Sequence, residues 1–142
     1  MRESIKDKVA IIGAGCARFG ERWEAGIDDL IKEATTEALE DAGVGINDIQ
    51  AIWVGSVCGS HIASGMAVAT GIFVAQTLQT NFTPITRIEN ACASGQEAMR
   101  AATLGIASKE YDLVLALGVE KHKDVGSPGL GAGMAGKFEP VY

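Results

Sequence analysis

Residues 89–95 read Glu-Asn-Ala-Cys-Ala-Ser-Gly and place Cys92 between a strand-like run, 83–88, and a helix-like run, 94–108. A cysteine on a sharp strand-to-helix turn has the geometry of a nucleophile elbow. The free N–H groups and partial positive charge of a helix N-terminus favour the thiolate, the form that attacks carbonyl carbon. Ala91, Ala93, Ser94 and Gly95 are small enough to let a bulky carbonyl substrate reach the sulfur. A lone cysteine is more often a buried packing residue, but this setting argues for acyl transfer through a covalent thioester.

Other chemistry-bearing residues make weaker patterns. Cys58 and His61 have the spacing of half a metal site. A structural zinc needs four ligands, and Cys16 and His122 stand alone, so no metal is expected. The run Gly131-Ala132-Gly133-Met134-Ala135-Gly136 matches a dinucleotide fingerprint in letters only, since no strand precedes it and no βαβ unit follows. Gly13-Ala14-Gly15 does follow a strand-like run, but Arg18 stands where the third glycine belongs. The acidic residue expected after the next strand is also missing, so a Rossmann cofactor site is rejected.

The elements that must position Cys92 alternate along the chain. Residues 8–12 are short, apolar and rich in β-branched side chains, which predicts a buried strand ended by Gly13. Residues 28–42 predict a helix, with Asp28 and Asp29 in its first turn and Gly43 as its cap. Its apolar face is Leu30, Ile31, Ala34, Ala38 and Leu39. Strands are predicted over 51–57, 83–88 and 113–118, and helices over 63–78 and 93–108. A βαβαβαβ order predicts an α/β fold, a largely parallel sheet covered by helices on both faces. The helix over 93–108 is small-sided and apolar around most of its girth, a pattern of burial between layers. Residues 121–142 change character, with five glycines from Gly126 to Gly136 and little periodicity. They read as a solvated or substrate-facing loop.

Composition is that of an ordinary globular domain, 47% apolar and 21% charged over 142 residues. A net charge of −6 with no basic block argues against nucleic acid as a partner. Three cysteines in unrelated contexts make no disulfide framework, which points to a reducing compartment. The charged first eight residues show no signal-peptide core, the last residues no peroxisomal address, and no apolar run is long enough to span a membrane. The expected location is cytoplasmic.

The run Asn90-Ala91-Cys92-Ala93-Ser94-Gly95, followed by residues 111–121 (Tyr-Asp-Leu-Val-Leu-Ala-Leu-Gly-Val-Glu-Lys), resembles the thiolase superfamily. The similarity is greatest to its archaeal acetoacetyl-CoA thiolase and sterol-carrier-protein-type branch. Residues 9–13 with Arg18-Phe19-Gly20 fit that branch's first strand and loop, so the likeness runs from about Val9 to Glu120. It implies an N-terminal thiolase-like domain over 1–120, with 121–142 as the glycine-rich start of a loop domain. The domain would be half of an αβαβα layered sandwich, incomplete on its own, with the Cys92 helix in its middle layer.

The implied chemistry is acyl exchange between coenzyme A thioesters, either thiolysis of a 3-ketoacyl-CoA or formation of acetoacetyl-CoA. Cys92 would hold the acyl group, and its own N–H would face the oxyanion. Coenzyme A and acyl-CoA enter as substrates, and no covalently bound cofactor is implied. Glu120 would support the site structurally, without carrying protons. Cys58 and His61 would lie in a loop near a dimer face or the active-site rim. His122 stands where family members often carry methionine. The family's histidine motifs, second cysteine and remaining oxyanion donor have no counterpart after Glu120. The resemblance therefore implies a complementary chain or segment, inactivity of the isolated chain, and an oligomer dimerised through the third-strand region. A small OB-fold zinc-ribbon protein is a further partner implied by the archaeal branch. Two alternatives stay open: a β-ketoacyl-synthase-like condensing protein and a non-catalytic scaffold subunit.

Overall fold

The computed structural model describes residues 4–57 and 70–121. Helix α1, Ile27–Ala42, starts where Asp29 accepts the Gly26 N–H at 2.8 Å, and Asp28 and Asp29 lie at the positive end of its dipole. It ends at Gly43, whose left-handed backbone (φ 68°) lets two amides turn back. The Gly43 N–H reaches the Glu40 carbonyl at 3.2 Å, and the Val44 N–H reaches Leu39 at 3.1 Å. That pairing satisfies the last carbonyls of the helix. A short 3₁₀ turn, Ile46–Asp48, then leads into β1, Ala51–Gly55. Next come α2, Thr70–Leu78, β2, Ile85–Ile88, α3, Ser94–Ala107, and β3, Val114–Gly118.

The three strands form one parallel sheet in the order β2-β1-β3. Ile52 is level with Ile85 on one side and Leu115 on the other. Side chains alternate across the central strand. Ile52 and Val54 join Ile31, Val74 and Leu117 in the core beneath α1 and α2. Trp53 faces α3, where its ring lies edge-on to Tyr111 with centroids 5.8 Å apart. Helices therefore cover both faces of an α/β sheet, as expected. No helix among the described residues is long and apolar enough to cross a membrane.

Two expectations change. The predicted strand over 8–12 pairs with no strand among the described residues, and Ile11 and Ile12 are exposed. A β-branched run states a preference for extended backbone, but it becomes a strand only where its amides meet a neighbouring strand's carbonyls in register. The continuation of this segment lies on α1 instead, where the amides of Ala14, Cys16 and Arg18 donate to Asp41, Glu37 and Glu33 at 3.0, 2.8 and 2.9 Å. Helix α3, expected to be enclosed around most of its girth, buries one stripe, Ser94, Ala98 and Ala102. On its two flanks Met99 and Leu104 are each 44% exposed. Of the helix predicted over 63–78, only Thr70–Leu78 falls within the described residues.

Candidate active site

Cys92 lies between the end of β2 and the start of α3, at the end of the sheet where all three parallel strands finish. The turn that carries it is tight and strained. Ala91 has φ 44°, a left-handed conformation that non-glycine residues seldom adopt. Its amide is held by the Glu89 carboxylate at 2.7 Å. Ser94 closes the turn: its Oγ accepts the Asn90 N–H at 2.8 Å and donates to the Ala91 carbonyl at 2.7 Å. The Ala93 N–H to Asn90 and the Ser94 N–H to Ala91 add backbone bonds of 2.9 and 3.1 Å. Sequence reading took Ser94 only for its small size. Its spacing four residues from Asn90, at the first turn of a helix, is the signal that marks such a clasp.

Gly55, the last residue of β1, passes directly under this turn. A Cβ added there would lie 2.6 Å from the Ser94 carbonyl oxygen, so no side chain fits without moving the start of α3. The stretch after β1 is stitched to both neighbours. Glu120, beyond β3, accepts the Ser56 hydroxyl at 2.6 Å and the Val57 N–H at 2.5 Å. From β2, Arg87 donates to the Ser56 and Val57 carbonyls, each at 2.9 Å. Glu120, expected as support near the site, makes these contacts, while Arg87 was not read from the sequence at all. An arginine inside a four-residue strand-like run was the available clue.

The Cys92 side chain is exposed and lines a cavity of about 650 Å³. No side chain caps the start of α3, so the first amides of the helix are presented beside the thiol. An exposed thiol beside such N–H groups can attack a carbonyl and stabilise the charge that develops on its oxygen. The far wall of the cavity is the Arg18–Trp23 stretch, which also carries Phe19. Arg22 pairs there with Glu33 and Glu24. The guanidinium is raised further above its ordinary value by the Glu33 and Glu24 carboxylates. Glu33 is lowered below the usual carboxylate range by Arg22 first and by the Arg18 amide second. Cys16 lines the same cavity as Cys92, whereas Cys58, His61 and His122 lie outside the described residues. No group of three or more side chains suited to a metal occurs among the described residues.

Residues 9–127 match the family described as thiolase, N-terminal domain. The acetyl-CoA acetyltransferase of Methanocaldococcus jannaschii is 44% identical across 82% of this chain and 29% of its own length. That of Methanothermobacter thermautotrophicus is 41% identical across 84% of this chain and 31% of its own. The chain thus spans about a third of the length of these curated relatives. Among solved structures, the acetyl-CoA acetyltransferase of Syntrophomonas wolfei superposes with a TM-score of 0.55 at 21% identity, covering 71% of this chain and 26% of that one. The 3-oxoacyl-(acyl carrier protein) synthase III of Xanthomonas oryzae gives 0.52 at 24% identity over 62% of this chain and 25% of that one. These two similarities concern the fold alone.

Proposed function

The chain belongs to the thiolase family through its N-terminal domain, and we propose that it is the nucleophile-bearing part of an acyl-CoA acyltransferase. Residues 1–120 form the thiolase-like domain in this reading, and 121–142 begin the loop domain. The observation that carries it is the exposed Cys92 on a strained turn at a helix N-terminus, opening onto the cavity. The Cys92 thiolate attacks the thioester carbonyl, a new carbon–sulfur bond forms, and the bond to coenzyme A breaks. The acyl group stays on Cys92 and coenzyme A leaves as its thiolate, which takes up a proton.

Completing the exchange needs a base to generate a carbon nucleophile or to activate coenzyme A. No histidine lies among the described residues. The acid–base groups are supplied by a complementary chain or segment, and the isolated chain turns over poorly. Leu104, part-exposed on α3, fits contact with such a complement. Coenzyme A and its thioesters are the substrates in this scheme.

The test is the intact mass of natively purified material before and after acetyl-CoA, with peptide mapping. An increase of one acetyl group on Cys92, absent from Cys92→Ala, is the expected outcome. A companion polypeptide in the same spectrum identifies the source of the missing bases. No adduct on Cys92 with the companion present would sink the reading in favour of a non-catalytic scaffold. Efficient use of a malonyl thioester would redirect it to a condensing protein.

A further inference from the structure

We propose that Phe19 and Trp23 form the wall that receives the acyl chain of the substrate, and that this site prefers acyl groups with several methylenes over acetyl. The inference rests on the reading of Cys92 as the acyl acceptor. Phe19 is 89% exposed and Trp23 62% exposed, and both line the cavity onto which Cys92 opens. Two large apolar side chains lining the cavity of a reactive thiol call for an apolar ligand.

The stretch that bears them is a built surface. The Arg18 amide is fixed to Glu33 at 2.9 Å, and the Arg22 guanidinium is bound to Glu33 and Glu24. Phe19 thus lies between two residues tied to the same carboxylate, and Trp23 follows the second of them directly. Arg22 is committed to those two carboxylates, and Arg18 and Lys121 line the same cavity. A hydrocarbon chain finds two large aromatic side chains there. The cavity runs without interruption from these rings to Cys92, Gly55 and Gly95. The acyl chain, covalently attached to the sulfur, is the part of the substrate whose position that continuity dictates.

Each methylene removed from water favours binding by about fourfold. A chain of eight carbons that buries even part of its length on this wall gains at least about tenfold over acetyl. The experiment uses the natively purified protein with any companion it carries. The initial rate of adduct formation on Cys92 is read by intact mass for acetyl-CoA and octanoyl-CoA at equal concentration. The expected result is an octanoyl-to-acetyl rate ratio that falls at least about tenfold in the Phe19→Ala/Trp23→Ala double variant. The Phe19→Leu/Trp23→Leu variant, which keeps apolar bulk, retains most of the ratio and controls for folding. A ratio unchanged by the alanine pair overturns the inference, including the case where both rates fall together because the rings touch the coenzyme common to both substrates. Absence of either adduct in the unaltered protein removes the premise instead, so the two failures are told apart.

Discussion

The two walls of the cavity are built by different means. The Cys92 wall hangs on the ends of three paired strands, with the clasp residue Ser94 buried to 4% exposure and its hydroxyl bonded to backbone on both sides of the turn. The aromatic wall hangs on α1, where an extended segment gives its amides to a row of carboxylates at Glu33, Glu37 and Asp41. Those bonds are exposed, and one end relies on the Arg22–Glu33 ion pair. Exposed charged contacts are weak and screened by salt, while bonds within a packed sheet are not. A rigid nucleophile therefore faces a wall held loosely enough to adjust, a division that suits a fixed reaction centre and a variable acyl chain.

The largest expected break in this contrast comes from placing a methyl group on each side. Gly55→Ala drives a Cβ against the Ser94 carbonyl and the Gly95 amide, and neither the central strand nor the helix start can retreat. A loss of about 2–4 kcal/mol is expected in urea denaturation. Gly15→Ala meets backbone just as closely, at the Ala34 carbonyl and the Ala38 amide of α1. There the segment can lift off the helix, so the expected loss is only about 1 kcal/mol. Amide exchange would quicken at Ala14, Cys16 and Arg18 and not in β1. Equal losses at the two glycines would erase the distinction between the walls.

A middle-sized effect is expected from the supports of the rigid wall. Glu120→Ala removes the acceptor shared by Ser56 and Val57, and Ser94→Ala removes the clasp of the turn. Each is expected to cost about 1–3 kcal/mol. Ser94→Ala should also slow acylation of Cys92, because Ala91 would relax from its left-handed conformation and the sulfur would move. A variant as reactive as the parent would show that the turn holds its shape without the hydroxyl.

What the sequence made legible follows the same division. Segments with a local signature were readable: the helix bounded by Asp28 and Gly43, and the small residues around Cys92. The apolar run 51–55 became the central strand, buried at every position but Trp53. The residues 8–12 were readable as extended but not as unpaired, because pairing depends on where the rest of the chain places the neighbouring backbone and no local pattern encodes that. The acidic row Glu33, Glu37 and Asp41 looks like the ordinary solvated face of a helix; only the fold shows that it substitutes for a strand partner. Arg87 escaped notice for a similar reason, since its partners Ser56 and Val57 lie beyond another strand, whereas the Ser94 clasp is local and its spacing from Asn90 was there to be read. The aromatic pair was equally opaque: Phe19 entered only as part of a loop motif, and Trp23 not at all.

The smallest effect is the most specific to the aromatic wall. Glu33 is held below its ordinary value by Arg22 and by the Arg18 amide. A carboxylate depressed in the folded state stabilises that state fully above its unfolded value, about 4.3. The contribution fades as pH falls through the depressed folded value. Acidification from about pH 5 to about pH 3 should therefore release the Arg18 amide, speed its exchange and alter the fluorescence of Trp23. The β1 amides, held by backbone carbonyls that do not titrate, should stay protected across the same range. Glu33→Gln should show the released behaviour already at neutral pH, with Arg22 left to Glu24 alone. If the Arg18 and β1 amides open together on acidification, the aromatic wall is no looser than the wall that carries Cys92. The adaptability argued for it would then have no physical basis.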